Sequence, residues 1–317
     1  MENYTVERIE TAVGKPEPPV KNPKNKNPER KINAVFITVM LAVPILHWIV
    51  FWLIVNVNSI FLAFKIPTGE WSMETLRVVI RQLGSMDSDL RVAIKNTLLY
   101  FSKDVLMLFF QMMIAYFFYK KILGYRIFRI VFYLPSIVSG VAVASMFSNF
   151  IAPSGPLGVI LSKCGISAVP EFLANSDYAT WTILFYTIWL GWGGNMLLFG
   201  GAFARIPTEL IEAARLDGIG AFKEFIYLII PLVWTTLSTL LILNMTGLFA
   251  ASGPILLFTR GAYRTTTIGY WIFDKVAFVG LSAYNEVAAA GLIFSCIGVP
   301  VIMFFKWLVE RIPTVEY

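Results

Sequence analysis

Ile206-Pro207-Thr208-Glu209-Leu210-Ile211-Glu212-Ala213-Ala214-Arg215-Leu216-Asp217-Gly218, continuing to Ile230-Pro231, is a polar island between two long apolar runs. Pro207 and Thr208 supply a helix start, with Thr208 as the expected N-cap and Glu209 and Glu212 near the beginning, where carboxylates complement the helix dipole. Asp217-Gly218 supplies the stop. Leu210, Ala213, Ala214 and Asp217 recur at helical spacing, which predicts one narrow face built on small side chains that lets another surface come close. A second helix is expected from Phe222, entering the apolar run and kinking at Pro231, which lacks a backbone donor.

The surrounding composition sets the class. Apolar residues make up 57% and charged residues 15% of 317, with a mean hydropathy of +0.69. A soluble domain of this size does not tolerate that balance, so the chain reads as a polytopic membrane protein. At about 20 residues per span there is room for roughly six helices. The two cysteines, Cys164 and Cys296, give no disulfide framework and no metal spacing. A single histidine leaves little scope for His-based metal or acid–base chemistry. No G-x-x-x-x-G-K-[ST] loop occurs, so ATP hydrolysis, if any, belongs to another polypeptide.

Along the chain, residues 1–33 are polar and rich in Pro, Lys and Asn, which predicts a disordered tail ahead of a membrane domain over 34–317. The first span is expected over 34–61, with Pro44 and a packed, hydrogen-bonded His47 inside it. The stretch 63–95 has room for a surface helix near 73–83. The second span, 96–119, contains Lys103 and Asp104. Neighbouring helix positions point about 100° apart, so each is expected to need its own partner or water. The third span, 127–150, should break at Leu134-Pro135-Ser136, and 152–177 reads as a loop. In the fourth span, 178–203, Trp189, Trp192 and Asn195 stand one turn apart and are expected to share a face. With Tyr186 there, and Asn244 in the fifth span (225–250), they could line a solute path: aromatic faces pack on the C–H surface of a sugar and amides satisfy its hydroxyls. An aromatic helix-packing stripe is the competing reading of the same residues. A loop to about 285 containing Thr265-Thr266-Thr267 precedes the last span, 287–308.

Glu212-Ala213-Ala214, then Asp217-Gly218, then Pro231 resembles the EAA loop of the membrane-spanning permease subunits of binding-protein-dependent ABC importers. The run Tyr125 to Gly140, the pair Asn96-Thr97, and the Phe249 to Pro254 segment followed by threonines are similar to carbohydrate-uptake permeases of the maltose type. The doubled glycine before Pro254 is missing here. The resemblance implies an all-α membrane protein with six transmembrane helices, a type I ABC importer permease fold whose coupling loop, 204–224, carries a cytoplasmic coupling helix. It implies that Glu212, Ala213, Ala214, Arg215, Asp217 and Gly218 dock on a separate ATPase, which binds ATP and Mg; no cofactor is expected in this chain. The implied partners are a second, different permease chain, two ATP-binding subunits, an extracellular solute-binding protein and the lipid bilayer, with no nucleic acid. The implied solute is an oligosaccharide.

An N-terminus inside a bacterial plasma membrane puts the coupling loop and the C-terminus inside as well. On that arrangement 16 Lys and Arg lie inside and 9 in the outer loops. The positive-inside rule agrees and accounts for the pI of 9.2. An ion-gradient-driven secondary transporter is the alternative from another class, and would want inverted repeats that the sequence lacks. An ABC permease for another solute class is a second alternative. A membrane enzyme lacks a supporting His or carboxylate cluster.

Overall fold

The computed structural model describes residues 28–86, 88–166, 168–249 and 253–313. The chain divides into two units, Met1–Asn58 and Ser59–Tyr317. Residues 1–27 of the expected tail lie outside the described residues, while 28–33 are helical and open the first helix.

In the first unit, α1 (Pro28–Trp48) passes through a π-helical stretch (Ile49–Ile54) into α2 (Val55–Ala63). The run Phe36–Ala63 has a mean hydropathy of 2.3 in its most apolar window. Apolar residues all round a helix suit lipid or neighbouring helices. His47 is exposed and tilts against Phe51, ring centroids 4.8 Å apart. The packed, hydrogen-bonded ring expected there is therefore replaced by an i,i+4 aromatic pair, repeated one residue on by Trp48 on Trp52 at 5.0 Å.

The second unit is organised on α4 (Asp89–Tyr119), which Ser88 caps by accepting the Arg91 N–H. Ala93, Asn96, Thr97, Tyr100, Met107, Leu108, Gln111, Met112, Ala115 and Tyr116 recur every three or four residues and are all buried. One side of α4 is thus the spine of the bundle. α3 (Glu74–Gly84) is the surface helix expected before it; it buries Val79 and ties down through Gln82, which donates to Glu286 at 2.9 Å. α5 (Tyr125–Ile137) is followed by α6 (Gly140–Ile151), and the third candidate span is Gly140–Lys163, not the 127–150 expected from the sequence. Pro135 stays within α5, and the break falls at Val138-Ser139, a little beyond the position the sequence suggested. The following segment is not all loop, since Pro156 at a first helical position starts α7 (Pro156–Lys163).

The fourth span is α8 (Ala179–Gly191) and α9 (Met196–Phe203), separated by a four-residue turn. The polar island holds α10 (Thr208–Leu216). α11 (Ala221–Glu224), a π stretch and α12 (Ile230–Leu232) then lead to α13 (Trp234–Thr246), bent by 75° from Ala221–Leu232. The bend lies at Val233, just past Pro231, whose missing N–H interrupts the helical ladder. After the short α14 (Ile255–Phe258), α15 (Ile268–Asp274) begins where Thr267 accepts the Tyr270 N–H. The expected loop up to 285 is therefore largely helical: the run Ile268–Glu310 passes through α15 and irregular helical turns into α16 (Tyr284–Glu310). Among the described residues five helices suffice to cross a membrane, or six with the bent pair counted as one span. Lipid tails are as apolar as leucine, so such a bundle is held by close packing and interhelical hydrogen bonds more than by water exclusion. Asn285 supplies one such tie, donating to Leu62 O at 3.1 Å and Lys65 O at 2.8 Å.

Candidate functional site

Pro207, with φ −57° and ψ 132°, occupies the N-cap position of α10, which makes Thr208 its first helical residue and not its cap. The other end closes as a Schellman turn. Gly218 N–H donates to Arg215 O at 3.0 Å and Ile219 N–H to Ala214 O at 3.1 Å, around Gly218 at φ +74°. The buried residues of α10 are Ile211 and Ala214, joined by Ile206 just before the helix. The predicted narrow face of Leu210, Ala213, Ala214 and Asp217 is therefore split: Ala214 is buried, while Leu210, Ala213 and Asp217 are solvent-exposed with Glu209 and Glu212, and Leu216 stands 89% exposed. Two isoleucines and one alanine anchor the helix to the bundle and leave that broader face exposed among the described residues.

A cleft of about 300 Å³ separates α10 from the turn between α4 and α5, lined by Tyr119, Lys120, Lys121, Thr208, Glu212 and Arg215. Close by, Lys120 at the end of α4 pairs with Glu224 at 2.5 Å, and Glu224 is only 1% exposed. The Lys120 ammonium lies 5.4 Å from the Tyr116 ring centroid, and the Tyr116 hydroxyl donates to Ala221 O at 3.3 Å. Neither Lys120 nor Glu224 is among the candidate site residues read from the sequence. The available signal was a carboxylate placed directly against the apolar run that begins at Phe225.

The expected solute-path residues go to separate neighbours. Tyr186 is buried with Phe147 and Phe258, and Trp189 joins that cluster at 6.2 Å from Phe147. Trp192 packs between Phe110 and Phe132, at 6.3 and 6.0 Å. Asn195 donates to Gln111 Oε1 at 2.9 Å, and Gln111 donates to Gly191 O. The shared face fails because the turn between α8 and α9, rich in glycine, resets the helical phase after Gly191. Gly193 lets that turn approach α5: a Cβ there would sit 2.6 Å from Phe132 O. Asn244 is half-buried on α13. A groove of about 470 Å³ instead opens between α9 and α13, lined among others by Gly201, Arg205, Thr235, Thr236, Thr239 and Leu243. Those threonines lie near the middle of the fifth span expected from the sequence, 225–250.

Lys103 and Asp104, expected to need separate partners, pair with each other at 2.5 Å. The long lysine stem spans the angular offset between adjacent positions. At the end of the bundle away from α10, Asn96 donates to Arg264 O at 2.7 Å and Thr266 O at 2.9 Å, while Thr97 accepts the Ile268 N–H. Thr265 and Thr259 share a buried hydroxyl contact. The threonine run therefore locks a loop in which Arg260, Tyr263 and Arg264 all take left-handed backbone angles.

These features define a multi-pass helical membrane protein with a polar, outward-turned helix set between its fourth and fifth spans. Residues 105–313 match the family described as binding-protein-dependent transport system inner membrane component, and the chain belongs to that family. It is 30% identical over 139 residues to the probable ABC transporter permease protein YesP of Bacillus subtilis (strain 168), covering 44% of this chain and 45% of that protein. It is 31% identical over 188 residues to the sn-glycerol-3-phosphate transport system permease protein UgpA of Yersinia pseudotuberculosis serotype I (strain IP32953), covering 57% and 62%. The chain thus spans less than two thirds of the length of these relatives. Its fold is that of a crystal structure of a bacterial ABC transporter that imports the acidic polysaccharide alginate, with a TM-score of 0.74 and 21% identity over 90% of this chain and 99% of that one.

Proposed function

We propose that this chain is a permease subunit of an ATP-driven importer, forming half of a translocation pathway for oligosaccharides and coupling to a separate ATPase through α10. The observation that carries the reading is the exposed face of α10: Glu209, Glu212, Ala213 and Leu216 point away from a helix whose other side is anchored in the bundle. An exposed leucine among carboxylates, outside the apolar spans, fits a protein surface better than lipid. Arg215, Asp217 and Gly218 complete the docking element. In this reading the chain performs no catalysis; ATP and Mg are held by two ATP-binding subunits, a second permease chain completes the pathway, and an external binding protein delivers the solute. The N- and C-termini and α10 lie on the cytoplasmic side of a bacterial plasma membrane, as the distribution of Lys and Arg supports.

The solute class draws support from the alginate importer and from the glycerol phosphate permease, both of which handle hydroxyl-rich compounds. Thr235, Thr236 and Thr239 in the groove between α9 and α13 offer hydroxyl partners for such a solute, with Trp192, Asn195 and Asn244, which do not line that groove, as further candidates. Arg205 in the same groove favours a second reading, a carboxylated or phosphorylated saccharide, because its planar fork suits an anionic group. Gentle purification of the tagged chain with its co-expressed genomic neighbours tests the main reading. A phosphate-loop ATPase and a second six-span chain should co-purify, and the ATPase should be lost on Glu212→Ala with Gly218→Trp. Recovery of the chain alone, with uptake that survives ATP depletion but collapses with the ion gradient, would replace it by the secondary transporter.

A further inference from the structure

We infer that the Lys120–Glu224 ion pair is the joint through which movement of α10 reaches α4, a positioning role that rests on the coupling reading above. Glu224 lies at the end of α11, between α10 and the bent fifth span, and only 1% of its side chain is exposed. Lys120 is the residue on which α4 ends, its side chain 17% exposed. The two meet at 2.5 Å across 104 residues of sequence. A buried carboxylate with one ion-pair partner is an expensive choice for a structural contact, because desolvation offsets much of the attraction and an apolar pair of similar volume often serves as well. Its second oxygen, Oε1, is buried without a hydrogen bond among the described residues, so Lys120 is the one charged group that holds it.

The surroundings make the contact directional. Tyr116, one turn before Lys120 on α4, places its ring beneath the ammonium and sends its hydroxyl to the Ala221 carbonyl, so α4 grips α11 at both ends of that short helix. A displacement of the segment 208–224 therefore has a rigid attachment on α4. Further along α4, Gln111 holds the Gly191 carbonyl and receives the Asn195 amide, which bracket the turn separating α8 from α9. One helix thus carries both the attachment to the polar island and the clasp on the broken fourth span. If the pair were only a brace, its loss would lower the amount of assembled complex. As a joint, its loss leaves the complex assembled but frees ATP hydrolysis from control by the permease.

The test uses the complete complex that co-purifies with the tagged chain, placed in lipid nanodiscs. MgATP hydrolysis is measured per assembled complex, with and without a saturating amount of the solute-binding protein from the same cells, and the stimulation ratio is compared between variants. Glu224→Gln should lower that ratio at least fivefold, toward one, while Lys120→Arg, which retains the pair, should stay within twofold of the unmodified chain. The double variant Lys120→Gln with Glu224→Gln removes both charges and leaves none unpaired; it decides the matter if the single variant does not assemble, and should show the same loss. A ratio within twofold of the unmodified complex in the charge-free variants, or a parallel fall in both rates at an unchanged ratio, overturns the inference. Failure of any ATPase to co-purify with the unmodified chain would instead refute the coupling reading, so the two failures are distinguishable.

Discussion

Replacing Gly218 isolates the contribution of one backbone angle to the docking proposed for α10. Its φ of +74° is needed for the turn that ends α10, and a Cβ built there meets nothing within 4 Å. A Gly218→Ala change therefore brings no clash, and its whole effect is the left-handed backbone, which costs an L-residue roughly 1–2 kcal/mol. If the ATPase recognises α10 with this terminus intact, the cost appears as an affinity loss of about 5- to 30-fold. Gly218→Asn should lose least, since asparagine tolerates the left-handed region, and Gly218→Val most, since β-branching is poorly accommodated there. Gly220 provides the control. It also has open space around its Cβ, but its φ is −68° and its ψ 156°, so Gly220→Ala should leave affinity nearly unchanged. The assay is titration of the detergent-solubilised chain with the ATPase that co-purifies with it. Equal affinities for Gly218→Val and the unmodified chain, or a loss at Gly220→Ala matching that at Gly218→Ala, would refute the reasoning.

Three further substitutions address the interior and the end away from α10. Gly193→Ala should reduce thermal stability in detergent by about 1–3 kcal/mol, because the added methyl would meet the Phe132 carbonyl at 2.6 Å, a backbone atom that cannot swing aside. Gln111→Leu should cost about 1–3 kcal/mol by leaving the Gly191 carbonyl and the Asn195 amide without their partner; a thermal-shift assay on the purified chain reads this, and an unchanged midpoint would remove Gln111 from the account of the helix break. Asn96→Ala should release the loop that carries Arg260, Tyr263 and Arg264, seen as faster cleavage there in limited proteolysis with trypsin, because one amide serves both the Arg264 and Thr266 carbonyls.

The parts of this fold visible in the sequence are those governed by local chemistry. A long apolar run crosses a membrane whatever surrounds it, which is why the span count was legible from hydropathy. Pro207, Asp217 and Gly218 constrain their own backbone, so the limits of α10 were legible too. Which side of α10 would be buried was not, because Ile206 and Ile211 compete with Leu210 and Ala213 for the bundle and only the packed neighbours decide. The fourth span shows the same division. Its glycines marked an irregularity, but a turn of four residues resets the helical phase, and any face drawn through Trp189, Trp192 and Asn195 depended on continuous helix. The helical content of 268–285 was hidden because turn-forming threonines and glycines flank the apolar IGYWIFD segment, and one of those threonines proves to be its N-cap.

Pairs formed over long sequence separations were the least legible, and they include the contacts most relevant to coupling. Nothing in the order of residues joins Lys120 to Glu224 or Gln111 to Gly191; both contacts exist because α4 runs past the polar island at one point and past the break in the fourth span at another. Interhelical polar contacts in a bilayer contribute roughly 0.6–2 kcal/mol each, because the freed groups find other partners. On the proposed reading the bundle would switch between two arrangements, and contacts between the spine and the two interrupted elements are where rigidity would be most useful. The Lys120–Glu224 ion pair and the Gln111 amide clasp tie α4 to those two elements through directional polar contacts. On the proposed reading the sequence marks the elements that would move, and the structure adds the contacts that tie them to α4.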